Sequence, residues 1–137
     1  MIIYLDENIA PTLALGFHQL QFLQSQKKGL TIYVRALEND FGKGCKDEAW
    51  IPIVGQNDNC VITQDINIQR TKAQWQLCQQ NNVGIFFIKS SAKKGYSYWD
   101  MVKLLVNKWE EMVEIIRKQP KPFAYKISMK GKFEKLL

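Results

Sequence analysis

The sequence contains few of the residues on which several common enzyme classes depend. Its 137 residues include one histidine, His18, and three cysteines that show no Cys-x-x-Cys spacing. A histidine- or cysteine-rich zinc or iron site is therefore excluded by count. His18 lies in the middle of a predicted helix, far in sequence from any suitable nucleophile, which argues against a Ser-His-Asp hydrolase.

Long apolar runs and nucleotide-binding glycine loops are missing as well. The longest apolar runs, such as residues 83–88, have the length of a strand, whereas a transmembrane helix needs about 20 apolar residues. The first residues show neither the basic region nor the cleavage site of a signal peptide. Gly42, Lys43 and Gly44 lack P-loop spacing, and no G-x-G-x-x-G sequence occurs. With its cysteines interpreted as reduced thiols, the chain is predicted to be cytoplasmic, without a membrane partner.

Positive charge is concentrated in the second part of the chain. Residues 1–88 contain seven Lys and Arg against eight Asp and Glu, whereas residues 89–137 contain twelve against five. Such a basic region attracts polyanions, of which nucleic acid is the commonest. A lysine-rich face that is merely solvated would have the same composition. The charge alone therefore leaves both interpretations open.

Apolar residues follow strand and helix patterns in alternation. Strands are predicted at residues 2–5, 31–34, 60–63, 83–88 and 123–130, and helices at 10–25, from Asp47, at 71–80 and after the capping box Ser97–Asp100. The first helix is predicted to bury Leu13, Phe17, Leu20 and Leu23, and the last helix Trp99, Val102, Leu105, Val106, Trp109, Met112, Val113 and Ile116. This alternation predicts an α/β fold with a central, mainly parallel sheet and helices on both faces.

Two of the predicted strands end in acidic residues. The first strand runs into Asp6, Glu7 and Asn8, and the third runs through Thr63 into Asp65. Asp47 opens the helix that precedes the third strand, so its carboxylate can face the same edge of the sheet. Sites in open α/β sheets form at the carboxyl ends of the strands, which would bring these acids together.

Carboxylates that converge on one sheet edge predict a divalent cation there. They repel one another unless a cation lies between them, and their oxygens suit Mg²⁺ or Mn²⁺. Thr63 or Asn67 can hold a ligand or a water molecule by hydrogen bonds. Each acid also has a structural explanation as a turn residue or helix cap, and capping alone would account for Asp47. The case for a metal therefore rests on the set of acids and not on any one of them.

Three short acidic segments occur in a fixed order along residues 1–90. They are Leu5-Asp6-Glu7-Asn8, Asp47-Glu48-Ala49-Trp50 and Ile62-Thr63-Gln64-Asp65-Ile66-Asn67. Together they resemble the PIN-like superfamily, and within it the small proteins related to VapC-type toxin ribonucleases. The resemblance implies one PIN-like domain over residues 1–137 with a three-layer α/β/α fold. Its core would be residues 1–90, followed by a basic helix and strand in residues 91–137.

The resemblance also implies an activity and a set of site residues. The activity is a Mg²⁺- or Mn²⁺-dependent endoribonuclease, specifically the toxin of a type II toxin–antitoxin pair, with a cognate antitoxin and a second copy of the chain as protein partners. The family's catalytic metal ligands fall on Asp6, Asp47 and Asp65. The candidates for a further acid are Glu7, Glu38, Asp40 and Glu48, and those for supporting roles are Asn8, Thr63 and Asn67.

RNA contacts are predicted in the basic part of the chain. Phosphates are bound mostly by Lys and Arg, and bases stack on aromatic rings. The candidate lysines are Lys89, Lys93, Lys94, Lys126, Lys130 and Lys132, and the candidate rings are Tyr96, Tyr98 and Trp99. For Trp99, a place in the core is the favoured prediction.

Two other functions stay open. A PIN-like domain without catalysis would bind nucleic acid or protein even in EDTA, and the unassigned further acid favours this alternative. A Mg²⁺-dependent phosphatase or phosphotransferase would use the same sheet edge. An aspartyl-phosphate mechanism usually needs a second acid two residues after the nucleophile, where this chain has Asn8 after Asp6.

Overall fold

The computed structural model describes residues 1–64, 67–90 and 95–136. The elements of these residues, in chain order, are β1 (Ile2–Leu5), α1 (Pro11–Lys27), β2 (Tyr33–Ala36), α2 (Leu37–Phe41), α3 (Asp47–Gln56), β3 (Cys60–Gln64), α4 (Ile68–Asn81), β4 (Gly84–Ile88), α5 (Tyr98–Lys118), β5 (Phe123–Ile127) and β6 (Glu134–Lys135).

The strands form one sheet in the order β2-β1-β3-β4-β5-β6. The pairs among β1 to β5 are parallel, and β6 joins β5 as an antiparallel edge strand. All five parallel strands therefore present their carboxyl ends at one edge, which is named the acidic edge below because Asp6 lies there. Helices cover both faces, so the predicted three-layer α/β/α fold is confirmed.

The central strands are apolar on both sides because both faces of the sheet are buried. Alternate residues of β1 enter different layers: Ile3 and Leu5 pack beneath α1 and α5, whereas Tyr4 packs beneath α2 and α3. On the second face α3 and α4 approach closely at Gly55, where an added Cβ would lie 1.9 Å from the backbone oxygen of Asn81. Glycine is therefore required for this helix contact.

The predicted buried face of α1 is partly wrong. Leu13 and Phe17 are buried, but Leu20 and Leu23 are 61% and 64% exposed. The buried stripe continues instead through Gln21 and Ser25. These polar residues satisfy each other, because Gln21 Nε2 donates to the backbone oxygen of Ile32 at 2.7 Å and Ser25 Oγ donates to Gln21 Oε1 at 2.6 Å.

Helix α5 follows the predicted pattern except at two positions. Ser97 caps it as predicted, since its Oγ accepts a hydrogen bond from the backbone N–H of Asp100 at 3.2 Å. Met101 and Leu104 are buried in place of Trp99 and Val106, which are 70% and 48% exposed. The prediction of Trp99 as a core residue is therefore wrong, because in the first turn of α5 it is Met101, and not Trp99, that packs into the core.

Several boundaries differ from the predicted ones. Strand β2 begins two residues later than predicted, α2 occupies residues assigned to no element, and β5 ends at Ile127. Helix α3 continues to Gln56 through Pro52, without the interruption that a proline suggests. None of the helices in the described ranges has an apolar stretch long enough to cross a bilayer.

Candidate metal centre

Asp6 is the most firmly held residue at the acidic edge. Its backbone N–H donates to the oxygen of Ile62 at 3.0 Å, which continues the pairing of β1 with β3. The side chain is only 1% exposed. Its Oδ2 accepts the hydroxyl of Thr63 at 2.7 Å, and its Oδ1 accepts the backbone N–H of Glu7 at 2.7 Å. The carboxylate is thus fixed in one orientation by two short, charge-assisted hydrogen bonds.

Asp47 lies at the start of α3, and the explanation of its carboxylate as a helix cap is wrong. The N-cap residue is Lys46, and within the described residues no side chain caps this helix. The Asp47 side chain is 17% exposed. The loop before it is tied to the acidic edge, since Glu7 Oε2 accepts the backbone N–H of Gly44 at 2.9 Å. The loop connection therefore brings Asp47 to this edge, where its carboxylate lies in the first turn of α3 without a capping hydrogen bond.

Arg70 joins the two carboxylates. Its Nη2 atom lies 3.7 Å from Asp6 Oδ2 and 3.6 Å from Asp47 Oδ1. Asn67 fixes the start of α4, because its Oδ1 accepts the backbone N–H groups of Gln69 and Arg70 at 2.9 and 3.1 Å. The structure thus brings Asp6 and Asp47 around one positive charge, and it assigns Asn67 to helix capping.

Sequence reasoning missed Arg70. Its only local signal was the capping residue Asn67, which places residue 70 in the first turn of a helix that starts at the acidic edge. Asp65 follows β3 in the sequence but lies outside the described residues, as do Lys93 and Lys94. Of the three predicted aspartates, the structure therefore brings Asp6 and Asp47 together.

The candidates for a further acid have different surroundings. Asp40 is bound by Arg35, whose Nε donates to Oδ2 at 2.8 Å, and by the hydroxyl of Tyr4 at 3.0 Å. Arg35 lowers the pKa of Asp40, and burial, with Asp40 beside it, raises the pKa of Tyr4 to about 12. Glu48 is exposed, and Glu38 is half-buried. Among the described residues, no three His, Cys, Asp or Glu side chains form a group that could hold a metal ion.

The donors at this edge nevertheless fit a small divalent cation. Asp6 and Asp47 supply carboxylate oxygens at this edge. Asn8, two residues after Asp6, buries both its carboxamide oxygen and its amide nitrogen without a hydrogen-bond partner among the described residues. Buried unpaired oxygens are costly, and oxygen is the ligand that Mg²⁺ and Mn²⁺ prefer. The position between the two carboxylates already holds a positive charge, since the Arg70 guanidinium lies there.

The predicted RNA-contacting residues are divided between surface and structural roles. Lys89 and Lys130 are exposed, and Lys126 is half-buried in β5. Tyr96 is structural, since its hydroxyl donates to the oxygen of Lys89 and accepts the N–H of Met129, both at 3.0 Å. Two exposed rings remain for stacking: Tyr98 and Trp99 are 41% and 70% exposed and lie edge to face with centroids 5.2 Å apart.

Comparison with known proteins identifies the family of the chain. Searches among curated proteins and among solved structures each found no match. A family model described as a PIN like domain matches residues 1–90, which is more than half of the chain. The matched segment contains β1 to β4 together with Asp6, Asp47 and Arg70. The chain therefore belongs to the PIN-like domain family.

Proposed function

We propose that this protein is a metal-dependent endoribonuclease that hydrolyses phosphodiester bonds of RNA. The observation that carries the proposal is the convergence of Asp6 and Asp47 at the carboxyl edge of the sheet, where both lie within 4 Å of the Arg70 guanidinium. PIN-like domains are commonly nucleases, and the matched segment contains both acids. Open α/β sheets place their sites at this edge, which agrees with the position of the two acids.

Asp6, Asp47 and Asp65 would hold Mg²⁺ or Mn²⁺, with Glu48, the neighbour of Asp47 in the sequence, as the proposed further ligand. When bound, such an ion supplies an activated water and neutralises charge on the phosphate. Thr63 and the backbone N–H of Glu7 keep the Asp6 carboxylate in its orientation, so no reorganisation is needed as ligands exchange. Asn67 fixes the first turn of α4, which carries Arg70 beside the two carboxylates.

The basic part of the chain would position the RNA. Lys89 follows β4, and Lys126 and Lys130 lie in and after β5, whose carboxyl ends share the edge that carries Asp6. Lys93 and Lys94 extend this basic segment in the sequence. Lysines make phosphate contacts that do not depend on sequence, and the exposed ring of Trp99 is available for base stacking.

The biological role that we propose is the toxin of a type II toxin–antitoxin pair in the cytoplasm. It is supported by the small size of the domain and by the resemblance of its acidic segments to VapC-type toxins. A cognate antitoxin and a second copy of the chain would be its protein partners. Expression that arrests growth, and that a protein encoded beside it relieves, would be the corresponding phenotype.

A PIN-like binding module without catalysis is the second candidate function. It is favoured by the further acid that the sequence leaves unassigned, and by Arg70, which neutralises Asp6 and Asp47. Such a module would bind single-stranded RNA equally well with Mg²⁺ and with EDTA, and it would not cut it.

The test is incubation of total RNA with purified, partner-free protein in Mg²⁺ or Mn²⁺. We expect discrete fragments that disappear in EDTA and in the Asp6→Asn variant. Circular dichroism of the variant establishes that it is folded, since Asp6 also accepts two hydrogen bonds. Intact RNA after incubation with folded wild-type protein and either metal would reject the nuclease in favour of the binding module.

A further inference from the structure

The charge at the acidic edge is balanced by a single side chain of the described residues. Asp6 is almost fully buried, and an ionised carboxylate in that position needs a nearby positive charge. Arg70 is the only described cation within 4 Å of Asp6 or of Asp47. It therefore performs the electrostatic task that a divalent cation would perform at the same place.

The contact of Arg70 differs from an ordinary structural ion pair. Its Nη2 atom lies 3.7 and 3.6 Å from the two carboxylate oxygens, beyond hydrogen-bond distance from both. By comparison, Arg35 Nε donates to Asp40 at 2.8 Å. The Arg70 side chain is also 39% exposed, although its backbone is fixed by the cap of α4. Among the described residues, Arg70 therefore contacts the two acids through charge and without a hydrogen bond to either, and its side chain is partly open to solvent.

We propose that Arg70 holds the place of the divalent cation in the metal-free protein and turns to an RNA phosphate when the metal binds. The inference rests on the proposed nuclease function. Two cations between the same carboxylates repel each other, so metal binding must displace the guanidinium. A displaced Arg70 stays tethered beside the site by α4. The planar fork of its N–H groups matches two oxygens of a phosphate, which makes the phosphate its new partner.

Metal binding without RNA tests the first half of the proposal. Dissociation constants for Mn²⁺ are measured by electron paramagnetic resonance on metal-free wild type, Arg70→Ala and Lys72→Ala. Lys72 is the matched control, because it is an exposed cation on the same helix without an ion pair to either acid. We expect Arg70→Ala to bind Mn²⁺ about tenfold more tightly than wild type, since no cation has to be displaced, and Lys72→Ala to change little.

Three results would overturn this half. They are Mn²⁺ binding by Arg70→Ala that is equal to or weaker than that of wild type, an equal gain in Lys72→Ala, or no Mn²⁺ binding by any of the proteins. Arg70→Gln serves as a second variant, because it keeps a hydrogen-bonding amide where Arg70→Ala fails to fold.

Cleavage at saturating Mn²⁺ tests the second half. Arg70→Ala is expected to cut a 5′-labelled single-stranded RNA about 100-fold more slowly than wild type, as for loss of one charged donor to the reacting phosphate. Cleavage by Arg70→Ala at the wild-type rate would refute the phosphate contact. Tighter Mn²⁺ binding in Arg70→Ala, with no RNA cleavage by wild type, would reject the nuclease and keep the arginine–metal competition. RNA cleavage by wild type, with Mn²⁺ binding by Arg70→Ala equal to that of wild type, would keep the nuclease and reject the competition between arginine and metal.

Discussion

Replacement of Thr63 by valine is predicted to destabilise the acidic edge without leaving a cavity. Thr63 is 1% exposed, and its hydroxyl donates to Asp6 Oδ2 at 2.7 Å. Valine has nearly the same shape, so the change removes the hydroxyl alone. A hydrogen bond to a charged group contributes about 1.5–3 kcal/mol, and the Asp6 carboxylate would stay buried with one donor fewer. We therefore expect the free energy of unfolding to fall by about 2 kcal/mol.

Thr63→Ser is the matched control. It keeps the hydroxyl and loses one buried methyl group, which costs about 1 kcal/mol. Urea unfolding at neutral pH without metal measures both variants. With a slope of about 2 kcal/mol per molar urea, the midpoint of Thr63→Val should fall by about 1 M. A midpoint equal to that of wild type, or a larger loss for Thr63→Ser than for Thr63→Val, would refute the importance of this hydrogen bond.

Three further predictions concern packing, ionisation and thiol chemistry. Gly55→Ala should lower the free energy of unfolding by about 2 kcal/mol because the added Cβ would meet the backbone of α4. Gly16→Ala, in open space on α1, should raise it by about 0.5–1 kcal/mol. Thermal unfolding measures both variants, and equal effects would contradict the close contact of α3 with α4. Burial raises the pKa of Tyr4 to about 12, so its contribution is complete below pH 10 and is lost as pH rises towards 12. Between pH 10 and pH 12 the free energy of unfolding of wild type should therefore fall by about 2 kcal/mol more than that of Tyr4→Phe. Stability profiles of the two proteins that stay parallel over this pH range would refute the prediction. Only Cys45 should react with a thiol reagent in the native state, because burial raises the pKa of the other two thiols to about 11 and 12; rapid labelling that persists in Cys45→Ser would contradict it.

The sequence patterns predicted the layers of the fold better than its individual faces. The helix that Pro11 begins and the cap at Ser97 depend on local geometry, and both are confirmed. Exposure of Leu20 depends on how α1 lies against the sheet and α5, which periodicity does not determine. Strand β6 has two residues and forms only against β5, so it has almost no local signal.

The candidate site shows the same division. Asp6 and Thr63 were predicted to lie at one edge of the sheet because both stand at the carboxyl ends of predicted strands, and the structure joins them by a hydrogen bond. Arg70 could not be assigned to the site, because its approach to Asp6 and Asp47 depends on the relative placement of α3 and α4. That placement is set by long-range packing and not by the residues next to Arg70.

The most direct test of the proposed nuclease compares Asp47→Asn with Asp58→Asn on one labelled single-stranded RNA in Mg²⁺. Asp58 is the matched control: it pairs with Lys121 at 2.8 Å, and its left-handed backbone, with φ of 58°, suits asparagine. We predict that Asp47→Asn cuts the RNA at least about 100-fold more slowly than wild type, because the metal loses a carboxylate ligand. We predict that Asp58→Asn stays within about twofold of wild type, as a surface change should. Equal cleavage by Asp47→Asn and wild type would contradict the assignment of this acid to a catalytic metal centre.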